Sequence, residues 1–209
     1  PVEGGDRAVG DDDDLVADTA HLTDWSFVHD GDTATAHQPI VALGLNYYTP
    51  TIVRALEPGE GASTGDHGVN GRSPWVADDG VGFAEPDGER TRMGWLVEPS
   101  ALTGMLVRLS EENPGLPLVV TENGAAYPDE RGTGSTVHDP QRVAYYQSHL
   151  AAVAQAARQG ADVRGYFAWS MLDNFEWAEG YTQRFGLVRV GADQKRTPKD
   201  SYAWLRDRS

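Results

Sequence analysis

Two stretches of the chain run apolar for several positions and then turn abruptly polar, and a third has strand character before a span dense in polar and aromatic groups. Residues 41–45 (VALGL) lead into Asn46, Tyr47, Tyr48, Thr49 and Pro50; residues 116–126 read LPLVVTENGAA; residues 163–172 lead into NFEWAEGYTQRFGLVRV. Apolar runs without polar alternation predict parallel strands covered on both faces. Their polar groups then fall at the carboxyl ends, where α/β sheets and barrels place their chemistry. Thr121, Glu122 and Asn123 are delivered in this way, and Gly124 lets the chain leave the strand without a Cβ clash.

Helical periods separate these runs. Leu102, Met105, Leu106 and Leu109 recur at helical spacing, Pro99 suits a first turn, and Asn113-Pro114-Gly115 is a stop. Asp139 followed by Pro140 predicts a second helix start, with Val143, Tyr146, Leu150, Val153 and Ala157 continuing the period to Gly160. Thr197-Pro198 predicts the opening of a last short helix through Tyr202 and Leu205. Residues 57–94, rich in Gly, Pro, Asp and Ser, carry no sustained period, and Trp75 and Phe83 suggest an anchored short hairpin within them. Strands alternating with helices predict parallel pairing through right-handed crossovers. Three such strands do not close a barrel, which takes about 250 residues for eight.

Composition narrows the partners. With 32 acidic and 17 basic residues the formal net charge is −15, which repels nucleic acid. There is no cysteine, hence neither a disulfide framework nor a thiolate metal site. No apolar run approaches the ~20 residues that span a bilayer, and no charged-then-apolar leader is present, so a cytoplasmic chain without a membrane partner is expected. Residues 1–14, with the run Asp11, Asp12, Asp13 and Asp14, predict a mobile acidic arm rather than a metal site. His21, His29 and His37 lie in polar, turn-rich sequence without metal-ligand spacing and read as surface residues. No cofactor is expected.

Asn46 and Tyr48 share one face of their strand, and a phenol there is placed to hydrogen-bond a carboxylate on the neighbouring strand and hold it ionised. Trp169, Asp173, Asn174, Glu176, Trp177, Tyr181 and Phe185 crowd into one short span, an unusual density of rings and hydrogen-bonding groups. NYYT, VVTENG and WSMLDNFEWAEGYTQRFGLV together closely resemble glycoside hydrolase family 1, the retaining β-glucosidases. MGWLVEP and RTPKDSYAWL extend the resemblance over residues 15–206. It implies residues 15–209 as the carboxyl-terminal part, about three strand-helix units, of a (β/α)8 barrel. That would explain both the absent initial Met and the absent strands.

By the same resemblance Glu122 is similar to the family's nucleophile and Tyr48 to its hydrogen-bond donor. Glu176 and Trp177 resemble the pair that binds the outer hydroxyls of the nonreducing sugar, Trp169 the platform under the ring, Phe185 a wall of that subsite, and Trp95 an aromatic on the leaving-group side. Asn46 is a further candidate sugar contact. The implied activity is hydrolysis of β-glucosides or short β-linked oligosaccharides, with retention. Retention needs a second carboxyl about 5–5.5 Å from the nucleophile. In the family this belongs to an Asn-Glu-Pro motif that the 209 residues do not contain, so the amino-terminal half of the barrel is the implied partner. Asp173 reads as a partner for nearby backbone rather than a substitute acid. The alternative is an inactive or noncatalytic sugar-binding half-barrel. A hydrolase of 6-phosphorylated sugars is disfavoured because Glu176 would oppose the phosphate with like charge.

Overall fold

A computed structural model describes residues 20–57, 59–60, 81–131 and 136–208. The expected acidic arm, the acidic run within it and Trp75 lie outside these. In chain order come α1 (Asp32–Ala36), β1 (Leu43–Asn46), β2 (Ile52–Ala55), β3 (Val81–Ala84), α2 (Pro99–Glu112), β4 (Leu118–Asn123), β5 (Glu130–Arg131), β6 (Val137–His138), α3 (Pro140–Arg158), β7 (Val163–Ala168), a 3₁₀ turn (Trp177–Glu179), β8 (Val188–Val190), β9 (Arg196–Pro198) and α4 (Asp200–Arg206).

β1, β4 and β7 form a parallel sheet with β4 in the centre. Leu43 pairs with Leu118, Leu45 with Val120, and after a register shift Asn46 with Glu122. On the other side Leu118 pairs with Val163 and Asn123 with Ala168. The sheet thus brings the polar ends of all three runs to one edge. β2 and β3 pair antiparallel, so Phe83 lies in a strand, but its partner is Val53, upstream of the 57–94 stretch in which a short hairpin is expected.

α2 begins where the Glu98 carboxylate accepts from the Ser100 amide at 3.1 Å, capping an otherwise orphaned donor. It ends at Asn113, whose side chain donates to the Leu109 carbonyl at 3.0 Å, and Gly115 takes φ +81° just beyond. Leu102 and Leu106 pack with Leu118, Val120, Tyr47 and Ala156 into the main core. Full burial of such an aliphatic side chain stabilises by about 1.5–3 kcal/mol.

Three further expectations change. β4 is not covered on both faces among the described residues: Leu118 and Val120 are buried under helices, while Val119 is half-buried and Thr121 exposed. Phe167 of β7 is likewise 61% exposed. The inner face of α3 is set by Arg142, Tyr145, Tyr146, His149, Ala152 and Ala156, about one position from the expected apolar stripe. The helix is rotated because Arg142 and His149 find buried acceptors, which outweighs hydropathy. Thr197 and Pro198 lie in β9, paired with Arg189 and Val188, and α4 starts only at Asp200. Pro198 is tolerated because β9 pairs on one side only, and Lys199 is still extended at φ −99°, ψ 169°.

Candidate active site

The Glu122 backbone carbonyl accepts from the Tyr47 amide at 2.9 Å, which locks the ends of β1 and β4 together. One residue on, the Tyr48 hydroxyl donates to Glu122 Oε2 at 2.7 Å. Burial, and then this hydrogen bond, push the Tyr48 phenol far above its ordinary pKa, so it remains a donor. The negative charges of Glu122 and, more weakly, Glu176 act on that phenol in the same direction. Trp95 and Phe185 pack on the Tyr48 ring, with centroids at 5.4 and 6.1 Å, and on each other at 6.0 Å. Such aromatic pairs each add about 0.5–1.5 kcal/mol beyond burial and fix the angle of the phenol.

Asn123 anchors the strand end from behind. Its buried amide donates to the Tyr47 carbonyl at 2.8 Å and to Tyr145 Oη at 3.0 Å, and its oxygen accepts from Tyr166 at 2.5 Å. Gly124 is required by proximity, since an added Cβ would sit 1.8 Å from the Trp169 carbonyl oxygen. That contact, with the Trp169 amide donating to the Asn123 carbonyl at 2.8 Å, joins the exits of β4 and β7. The Trp169–Ser170 peptide is cis.

The loop after β7 carries Glu176, which is 9% exposed and accepts from Asn174 at 2.7 Å. Trp177 beside it is 85% exposed, with φ +41°. Asp173 holds the base of the loop, accepting from the Gly186 and Val190 amides at 3.0 and 3.3 Å, from Arg184 at 2.7 Å and from Lys199 at 3.0 Å. The expectation that Asp173 serves nearby backbone is met. Phe185 is fully buried among Tyr48 and Trp95, so it braces the phenol and shows no open ring face among the described residues. Asn46 is exposed, its side-chain oxygen accepting from Thr121 at 2.6 Å. His21, His29 and His37 are exposed, and no metal-binding group of His, Cys, Asp and Glu occurs among the described residues.

Missed by the sequence reading is a buried ionic cluster under the loop. Arg142, Lys199 and Asp139 are inaccessible to solvent, and the Asp129 and Asp173 side chains nearly so. Asp129 accepts no well-angled hydrogen bond and is held by charge, with Lys199 Nζ at 2.9 Å and Arg142 and Arg184 at 3.8 Å. Burial and the charge of Arg142 lower the pKa of Lys199, which the two aspartates partly offset. The helical period offers no signal for it, because the buried face of α3 lies about one position from the apolar stripe.

Comparison with known proteins gives this arrangement a family. The model of glycosyl hydrolase family 1 matches residues 13–208. A bifunctional β-D-glucosidase/β-D-fucosidase of Bifidobacterium breve is 45% identical over 199 residues, covering 93% of this chain and 42% of that protein. The crystal structure of a psychrophilic β-glucosidase from Micrococcus antarcticus superposes with a TM-score of 0.82 at 41% identity, covering 93% of this chain and 43% of that one. A β-glucosidase from Thermotoga maritima in complex with glucoimidazole gives 0.71 at 36% identity, over 84% of this chain and 36% of that one. The chain therefore spans about two fifths of the length of these relatives, and its parallel sheet with flanking helices is part of their (β/α)8 barrel. No helix among the described residues is long and apolar enough to cross a membrane. The chain belongs to glycosyl hydrolase family 1.

Proposed function

We propose that this chain provides the nucleophile and the outer-sugar contacts of a retaining β-glucosidase, completed by an amino-terminal part of the barrel that provides the acid/base. The observation that carries the reading is the 2.7 Å hydrogen bond from Tyr48 to Glu122 at the carboxyl end of a central parallel strand. That bond occupies Oε2 and leaves Oε1 to attack the anomeric carbon. In the first step the Glu122–sugar ester forms as the glycosidic C–O bond breaks, and the leaving oxygen takes a proton from the acid. In the second, water attacks the same carbon, gives its proton to that group as base and releases Glu122; two inversions make a retention. Glu176 and Trp177 hold the outer hydroxyls, Trp169 lies under the ring, Trp95 faces the leaving group, and Phe185 acts through the Tyr48 ring. Asn46 lines the same strand edge. The glucosidase, fucosidase and glucoimidazole-binding relatives support a neutral β-linked sugar as substrate.

The test is a dinitrophenyl 2-deoxy-2-fluoroglucoside, whose leaving group needs no proton and which therefore asks only whether nucleophile and pocket are formed. Peptide mass should locate the label on Glu122 once an amino-terminal half completes the barrel. The isolated chain should not label, because unpaired strand edges and an open sheet face position the sugar poorly. Stoichiometric labelling of the isolated chain would contradict the dependence on the other half. No label in the completed barrel would leave the noncatalytic sugar-binding reading.

A further inference from the structure

Arg142 is inaccessible to solvent, yet three of its hydrogen bonds leave its own helix for carbonyls of the neighbouring loops. Nε donates to the Ala125 carbonyl at 3.1 Å, and Nη2 to the Arg184 carbonyl at 2.6 Å and the Tyr127 carbonyl at 3.5 Å. Nη1 pairs with Asp139, whose carboxylate also accepts from the Ser201 amide at 2.9 Å and its hydroxyl at 2.6 Å. Ala125 follows Glu122 closely, and Arg184 precedes Phe185 in the loop that carries Glu176. Neither connection has slack. Between Glu122 and Ala125 the chain is pinned by the Asn123 side chain and by Gly124 against the Trp169 carbonyl. Between Glu176 and Arg184 it is tied internally, Thr182 donating to the Glu179 carbonyl at 2.7 Å and Gln183 to the Glu179 carboxylate at 3.3 Å.

Resting on the function proposed above, we infer that Arg142 is a positioning residue whose guanidinium sets the placement of Glu122 relative to the Glu176 loop, and through it the discrimination of the sugar's outer hydroxyls. A rigid planar fork suits that role, because its donors leave in fixed directions toward two loops, which an ammonium on a flexible stem does not reproduce. Asp139 and Ser201 orient the fork from the far side. The cluster's remaining charges, Asp129, Asp173, Lys199, Arg184 and Arg189, keep the same loop base closed.

The test uses Arg142→Lys, which keeps the charge and loses the bridge. In the chain completed by an amino-terminal half, kcat/KM is measured for an aryl β-glucoside and for its 4-deoxy and 6-deoxy analogues. We expect about a hundredfold loss on the parent substrate, the scale of a misplacement near 1 Å, and a much smaller loss on the analogues, so that discrimination collapses. Equal losses on all three substrates would overturn the inference, as would unchanged kinetics. Hydrogen exchange on the 209-residue chain gives a second readout that needs no turnover. The amides of Glu176, Gly186 and Leu187, which bond within the loop and its base, should exchange about tenfold faster. Those of Leu43 and Leu118, which bond across the sheet entrance, should not change. Parallel acceleration of all five, or of none, would show only a structural staple. If Arg142→Lys loses its fold, Ser201→Ala, which removes one hydroxyl from Asp139, is read in the same two ways with smaller changes. Absence of turnover by the unmodified assembly would count against the proposed function, while the exchange experiment would still decide the role of Arg142.

Discussion

The base and the tip of the loop after β7 are built on opposite principles. At the base Asp173 is held within the chain: it receives two amides and two cations, and a Cβ at Gly186 would lie 2.1 Å from the Asp173 amide nitrogen. At the tip Trp177 is 85% exposed and Tyr181 73%, with Phe175 turned outward beside them. Only Glu176 is drawn in, by Asn174. The chain thus determines by itself where the loop stands, while the rings at its tip are left for something else to meet. The same division runs through the sheet, where the helix-covered face is closed and the face of Thr121 and Phe167 is open.

The largest effect should come from the held end of β4. Glu122→Gln is expected to cut turnover of an assembled barrel by about 10⁴-fold or more while sugar binding survives, because the carboxylate's role is covalent. Azide should then restore an inverted glycosyl product in Glu122→Ala. Normal activity in either variant, measured with an aryl β-glucoside, removes Glu122 from the role. Next in size is the loop base: Asp173→Ala leaves the buried Lys199 and the half-buried Arg184 without their closest common partner and should cost about 3–5 kcal/mol in urea unfolding of the chain. A cost below about 1 kcal/mol would mean that Asp129 alone neutralises the cluster.

What the amino-acid pattern could and could not reveal follows the same division. β4 was legible because an unbroken apolar run met Glu122 and Asn123 at its end, and α2 because Pro99 and Asn113-Pro114-Gly115 mark both limits. Arg142 and His149 were not, since a periodicity search scores polar residues as outward, whereas both are buried by partners distant in sequence or stacked on an aromatic ring. Thr197-Pro198 carries a helix-start signal that β8 overrides by pairing with it. The Tyr48 contact to Glu122 was anticipated from strand-end geometry, but the bracing of that phenol by Phe185 depends on the loop path, which local sequence does not encode.

The held region has one weak point, which acid should find. His149 stacks on Tyr145 at 3.8 Å, its Nδ1 lies 2.8 Å from the Tyr145 carbonyl, and its Nε2 has no partner among the described residues. Burial lowers its pKa to about 4, against a smaller opposing pull from that carbonyl and from Glu98. Between pH 6.5 and about 4 the unfolded chain therefore binds the proton that the folded chain refuses. Stability contributed by neutral His149 is complete above pH 6.5 and is lost as pH falls to about 4, by roughly 3 kcal/mol at most. Urea midpoints across that window should fall with pH in the parent and fall less in His149→Gln. Parallel curves would assign the acid limb to other groups.

The smallest expected change in stability is at the tip, where Trp177→Ala tests whether exposure means independence. The ring is 85% exposed and its backbone sits at φ +41°, so replacing it removes little buried area and relieves none of the base contacts. Unfolding free energy should move by no more than about 0.5 kcal/mol. Activity should respond differently: in an assembled barrel a ring that meets the sugar contributes to the transition state, and its loss should lower kcat/KM by about tenfold. That split, neutral for the fold and costly for turnover, is what separates a tip built for a ligand from one that merely protrudes. A destabilisation approaching that of Asp173→Ala would show that the chain itself packs the ring in solution. Unchanged kcat/KM would take Trp177 out of the sugar site and leave Glu176 as the only outer contact at the tip.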